Sequence, residues 1–235
     1  MLELRRLVKR YAVGDAEPVS AVDQVSLSVD RGEFVALYGP SGSGKTTLLM
    51  MAAAVLRPDS GAVLLDDREV SSLGAGDAAR YRMRDLGFVR QSLDLLPGAT
   101  ALDSAAVKLI GSGATVRQAR RGVAPLLYRL GLRERLEHRT EQLSMGERQR
   151  VMIAKALSND PKLVLADEPT GSLDSERGRD VLALLSELCK ERGVAVLLVT
   201  HDPQAATFAD RVNTLRDGRL AEHERDPLPT TAGIR

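Results

Sequence analysis

The chain has 235 residues, 43% of them hydrophobic and 28% charged, and its 33 basic and 32 acidic side chains leave a net charge of +1. That balance argues against a nucleic-acid binder, which would carry a basic excess or a basic face, so no nucleic acid is expected as a partner. The longest apolar stretches, residues 48–56 and 194–200, fall far short of the ~18–20 residues needed to cross a bilayer, and the first residues lack an apolar signal core.

The expected location is therefore the cytoplasm, unless a partner holds the chain at a membrane. The one cysteine, Cys189, cannot form an internal disulfide and reads as a small core residue. Arg117, Arg120 and Arg121 form the densest basic cluster and read as a solvated helix face.

In chain order, residues 2–11, 25–29 and 61–65 read as short strands of a small sheet. Residues 34–38 form an apolar run of the kind that suits a strand buried on both faces, and a glycine turn follows it. A helix is expected over 45–56. From about 92 to 158 the pattern is helical with no convincing strand, which reads as an inserted helical segment ending in a helix over 147–158. A second apolar run, 162–166, ends at an acidic pair. An amphipathic helix is expected over 175–192, with Val181, Leu184, Leu185 and Leu188 on one face and Gly193 as its stop. A third run, 194–200, ends at His201, and 211–220 reads as a hairpin turning at Asp217-Gly218. The expectation is one α/β unit over 1–220, with a polar, disordered tail over 221–235.

Two turns carry chemistry. Gly39-Pro40-Ser41-Gly42-Ser43-Gly44-Lys45-Thr46, with Thr47 following, sits between a strand and a helix. There the glycines let backbone N–H groups curl inward around phosphates, the helix N-terminus adds partial positive charge, Lys45 can neutralise phosphate and Thr46 can hold Mg²⁺. The bland alternative is a Gly/Ser-rich turn, which the strand–turn–helix context disfavours. Asp167 and Glu168 close a buried strand. Alone they fit a helix cap or a surface pair equally well. Below a phosphate loop they fit a metal-binding aspartate and a carboxylate that orients or deprotonates water.

The segment Leu143-Ser144-Met145-Gly146-Glu147-Arg148-Gln149-Arg150 narrows the reading, because it resembles the signature motif of ABC ATPases. The resemblance runs over roughly residues 2–220. It implies that Tyr11 stacks on adenine, that Gln91 links the core to the helical insertion and helps hold the metal with Thr46 and Asp167, that Asp174 belongs to the loop after the acidic pair, and that His201 senses the γ-phosphate. It further implies a P-loop core with a mainly parallel sheet, a small antiparallel β subdomain and an inserted α-helical subdomain. ATP and Mg²⁺ are the implied cofactors. A second copy of the chain would supply Ser144 and Gly146 to the phosphates, and a separate integral membrane permease would be driven from the cytoplasmic side of the membrane.

The stretches 87–97 and 165–174 are similar to the branch containing the lipoprotein-releasing, macrolide-exporting and cell-division ATPases. Three residues depart from that pattern. Met145 stands where glycine is usual and would be strained if the position needed φ > 0. Glu147 stands for glutamine, and Arg90 for an aromatic residue. Permease contact is expected in a groove near Gln91, with Leu93, Leu95, Leu96 and Pro97 as apolar anchors. The alternatives are a soluble ABC ATPase acting on nucleic acid or the ribosome, and a regulatory module that holds ATP without turnover.

Overall fold

The computed structural model describes residues 1–13, 16–90, 95–171 and 173–221. A six-stranded sheet has the order β10-β9-β3-β8-β7-β6, built from β3 (Phe34–Tyr38), β6 (Leu86–Val89), β7 (Leu163–Asp167), β8 (Ala195–Thr200), β9 (Arg211–Arg216) and β10 (Arg219–Leu220). The pairings of β6 with β7, β7 with β8, β8 with β3 and β3 with β9 are parallel, and only the terminal β9–β10 hairpin is antiparallel. Asp217 and Gly218 take φ of 47° and 77° at its turn, the two positive values a tight hairpin demands.

The apolar runs are continuous because both faces of the sheet are covered. Phe34, Ala36, Val164, Ala166, Val196 and Leu198 point into one core, shared with α5 (Met145–Leu157) and α6 (Ser175–Arg192). The alternate residues Val35, Leu37, Leu163, Leu165, Leu197 and Val199 point into the other. That second core is shared with α1 (Lys45–Ala52) and with a four-stranded antiparallel sheet of order β2-β1-β4-β5. Its strands are β1 (Leu2–Val13), β2 (Ala16–Val29), β4 (Ser60–Leu65) and β5 (Arg68–Glu69).

Between β6 and β7 lie α3 (Ala101–Gly111), α4 (Val116–Arg129) and α5, joined to the first core through Leu102, Ala105, Val123 and Leu127. Thr100 caps α3 and Thr115 caps α4, the latter in a reciprocal capping box with Gln118. On α4, Arg117 and Arg121 are exposed, and Arg120 pairs with Glu137 across 2.5 Å. The short α7 (Pro203–Ala206) follows β8, and Cys189 is buried in α6.

Two elements differ in extent from expectation, and two more are added. The helix expected over 45–56 ends at Ala52, because Ala53 closes it and Ala54 turns to φ 51°. The strand expected over 25–29 is the end of β2, which starts at Ala16. A helix, α2 (Ala75–Arg84), and the edge strand β6 were not anticipated. The polar tail from 222 onward and the anchor Leu93 lie outside the described residues.

Candidate functional site

The phosphate loop is held where β3 hands over to α1. Gly42 takes φ 81° and Gly44, the residue capping α1, takes φ 101°. Gly44 is required twice over, since a Cβ there would lie 2.0 Å from the Ala21 carbonyl of β2. Gly39 likewise packs its Cα side against the Leu215 carbonyl of β9, at 2.2 Å from a built Cβ. The loop is therefore wedged between the two sheets, and its shape is set by backbone contact on both sides.

Residues 41, 42 and 44–47 of this loop line a polar cavity of about 420 Å³, together with Ala21, Asp167, Glu168 and His201. Lys45 is buried, and its ammonium donates to the carbonyls of Gly39 at 2.7 Å and Pro40 at 2.8 Å. Burial pushes the Lys45 pKa down, and the negative charges of Glu168 and Asp167 oppose that shift. Thr46 Oγ1 donates to Asp167 Oδ1 at 3.5 Å. Burial pushes the Asp167 pKa up and the Glu168 charge adds to the effect, against the Thr46 hydroxyl, Arg90 and Lys45. Two oxygen donors of this kind on one cavity wall suit a hard divalent cation that completes its shell with phosphate and water.

Glu168 has φ 46°, the left-handed region, which costs a non-glycine residue about 1–2 kcal/mol. The strain is fixed by its N–H, which donates to the Val199 carbonyl of β8 at 3.0 Å. Its carboxylate is gripped at both oxygens. Oε1 accepts from the His201 N–H at 2.9 Å and lies 2.6 Å from His201 Nδ1, which donates in the Nδ1–H tautomer. Oε2 accepts from the Thr200 hydroxyl at 3.1 Å, and that hydroxyl itself accepts from the Asp202 N–H at 3.0 Å. Thr200 and Ala21 are members of this site that sequence reasoning missed. Thr200 had a signal, a hydroxyl at the end of a buried apolar run beside His201. Ala21 had none, since it contributes through its place on the neighbouring sheet.

Gly39, Pro40 and Ser43 shape the loop without lining the cavity. Tyr11 is 43% exposed on β1, with Lys9 Nζ 6.0 Å from its ring centre, and is outside the cavity lining. Asp174 caps α6 by accepting from the Arg177 N–H at 3.0 Å. Ser144 caps α5 in a box with Glu147, whose carboxylate is also held by Arg135 at 2.8 Å. Gly146 is buried in the first turn of α5. Neither Ser144 nor Gly146 lines this copy's cavity. Gln91 lies outside the described residues. Met145 is helical, has no positive φ and is 41% exposed, so the strain considered for that position does not exist.

The ABC transporter family model matches residues 22–171. The chain belongs to that family: it is an ATP-binding cassette, an ABC-type ATPase. It is 45% identical over 226 residues to the lipoprotein-releasing system ATP-binding protein LolD 2 of Chlorobaculum tepidum, covering 94% of this chain and 91% of that one. It is 42% identical over 227 residues to the macrolide export ATP-binding/permease protein MacB of Burkholderia pseudomallei. That match covers 97% of this chain and 34% of MacB, so the chain spans about a third of that relative's length. A dimeric structure of MJ0796, a bacterial ABC transporter cassette, superposes with a TM-score of 0.85 at 36% identity, covering 94% of this chain and 97% of that one. The same cassette bound to ADP and Pi in a post-hydrolysis dimer superposes with a TM-score of 0.86, covering 95% of this chain and 98% of that one.

Proposed function

We propose that this cassette binds ATP with Mg²⁺ at the cavity beneath the phosphate loop, closes with a second copy around the nucleotide, and uses hydrolysis to drive a separate integral membrane permease from the cytoplasmic face. The observation that carries the reading is the meeting of Lys45, Thr46, Asp167, Glu168 and His201 on one cavity wall.

Each residue has a task that follows from its place. Lys45 is parked on two carbonyls and exchanges them for phosphate oxygens, so its charge is already aimed at the loop. Thr46 and Asp167 are the residues that would hold Mg²⁺, which when bound neutralises charge on the phosphates. Glu168 accepts the proton of the attacking water. His201 and Thr200 hold that carboxylate at the cavity lining before nucleotide arrives. Ser144, exposed at the start of α5, and the backbone of Gly146 beside it would meet the phosphates of a second copy. Tyr11 and Asp174 are proposed contacts to the base and across the dimer.

The permease partner is supported by the names of the relatives, which are an ATP-binding subunit of a releasing system and an export protein with a fused permease. No described helix is long and apolar enough to cross a membrane. Phosphate release and size-exclusion chromatography with ATP and Mg²⁺ test the reading. Magnesium-dependent hydrolysis and a nucleotide-driven dimer are expected, both lost in Lys45→Ala. Hydrolysis that survives Lys45→Ala would refute the assignment.

A further inference from the structure

Thr200 ends β8 almost wholly buried, and its polar groups reach in two directions. Its carbonyl accepts from the Gly39 N–H at 3.2 Å, where β3 gives way to the phosphate loop. Its hydroxyl donates to Glu168 Oε2 at 3.1 Å and accepts from the Asp202 N–H at 3.0 Å. A hydroxyl has one proton and rotates to suit its partners. The Asp202 N–H has to meet a lone pair, so the rotor is set and the one proton is directed at Glu168. Asp202 is itself fixed, since its carboxylate caps α7 by accepting from the Gln204 N–H at 2.8 Å.

We propose that Thr200 is a positioning residue for hydrolysis, holding Oε2 of Glu168 as the oxygen that takes the proton of the attacking water. The proposal rests on the reading of Glu168 as the base and adds which oxygen acts and what aims it. The two carboxylate oxygens differ in what they already accept. Oε1 meets two His201 groups, the N–H at 2.9 Å and Nδ1 at 2.6 Å. Oε2 accepts one bond among the described residues, from the Thr200 hydroxyl, and so keeps a lone pair for water. In the step, the water oxygen bonds to the γ-phosphorus. The bond from that phosphorus to the bridging oxygen breaks, its electron pair leaves on ADP, and the water proton passes to Oε2.

His201 alone cannot do this holding. A neutral imidazole carries one N–H, so the ring cannot donate from Nδ1 to Glu168 and from Nε2 to a phosphate at the same time. If His201 answers the γ-phosphate, as the family pattern implies, the Nδ1 bond is the one given up. The Thr200 hydroxyl is then the side-chain bond left on the carboxylate when the proton moves. The bond from the Glu168 N–H to the Val199 carbonyl fixes the backbone at its positive φ but leaves the side-chain torsions to other partners. Because the Thr200 carbonyl also holds Gly39, one residue sets the base and the phosphate loop in register, and a misplacement of about 1 Å between reacting groups can cost about 10²-fold in rate.

The test measures phosphate release by the full chain with ATP and Mg²⁺, in steady state and in single turnover. Thr200→Val keeps the shape without the hydroxyl, and kcat should fall about tenfold while KM for ATP stays within about twofold. Thr200→Ser should restore kcat to within about threefold of wild type. Thr200→Cys has a weak S–H donor, should fall between serine and valine, and covers the case in which the valine variant does not fold. The double variant gives a readout that a purely structural role would not move. With Glu168→Gln no carboxylate is left to aim, so adding Thr200→Val should cost less than about twofold in single-turnover rate. A folded Thr200→Val or Thr200→Cys enzyme with wild-type kcat overturns the inference. So does a loss that appears in KM instead of kcat, that serine does not rescue, or that persists in full beside Glu168→Gln. If the Thr200 variants are silent while Glu168→Gln still stops turnover, only this inference falls. If Glu168→Gln turns over normally, the reading of Glu168 as the base falls first.

Discussion

Glu168→Gln separates the chemical role of the carboxylate from its structural one. Glutamine has the same shape and keeps a carbonyl oxygen for the His201 N–H, at present 2.9 Å from Glu168 Oε1. Its amide faces the Thr200 hydroxyl, which accepts one hydrogen bond from Asp202 and retains a lone pair for another. All three hydrogen bonds to the carboxylate, from the His201 N–H, His201 Nδ1 and the Thr200 hydroxyl, are thereby exchanged for neutral ones, at a cost on the order of 1–3 kcal/mol, or several degrees in Tm for a chain of this size. The strained φ of 46° is the same burden for either residue. Catalysis loses the proton acceptor, a contribution of about 10²–10⁴ in rate, or roughly 3–5 kcal/mol of barrier. Phosphate release measures the loss, a fluorescent ATP analogue measures binding, and size-exclusion chromatography with ATP and Mg²⁺ measures the trapped dimer. Binding should be retained, turnover should fall by at least two decades, and the dimer should persist. Turnover within threefold of wild type would refute the role of Glu168 as base.

Three further outcomes follow from single residues. Gly44→Ala should lower Tm by several degrees and weaken nucleotide binding, because the new Cβ meets the Ala21 carbonyl at 2.0 Å and φ 101° is strained for alanine by about 1–2 kcal/mol or more. Met145→Gly should not raise ATPase activity through relief of strain and should weaken the start of α5 by about 0.5–1 kcal/mol, since Met145 is helical and exposed; a gain in Tm would contradict this. Lys108→Met should raise Tm at pH 7. The folded pKa of about 8 lies below the unfolded value near 10.5, so the unfolded chain binds more protons between those pH values and wild-type stability climbs through that window. The advantage of the methionine variant should shrink from pH 8 to pH 10.5, and thermal melts at pH 7 and 10 check it.

Legibility in the sequence followed burial. β3, β7 and β8 were readable because both of their faces are covered, which forces apolar residues at every position. α6 was readable to its ends, with Asp174 capping it and Gly193 closing it at φ 64°. β6 was hidden because it is four residues long and includes Gly87, whose Cα side lies against the Ala156 carbonyl of α5, at 2.6 Å from a built Cβ. α2 was hidden because only Ala78 and Tyr81 are buried along it, too few to set a period. The first part of β2 was hidden for the same reason, with Val19 57% exposed. The phosphate loop and the acidic pair stood out because each is a contiguous run. A cavity of about 400 Å³ beside β6, lined by Arg82, Arg90, Lys108 and Lys155 among others, did not, because its lining is scattered from Met50 to Ala156 and comes together only when β6 takes the sheet edge.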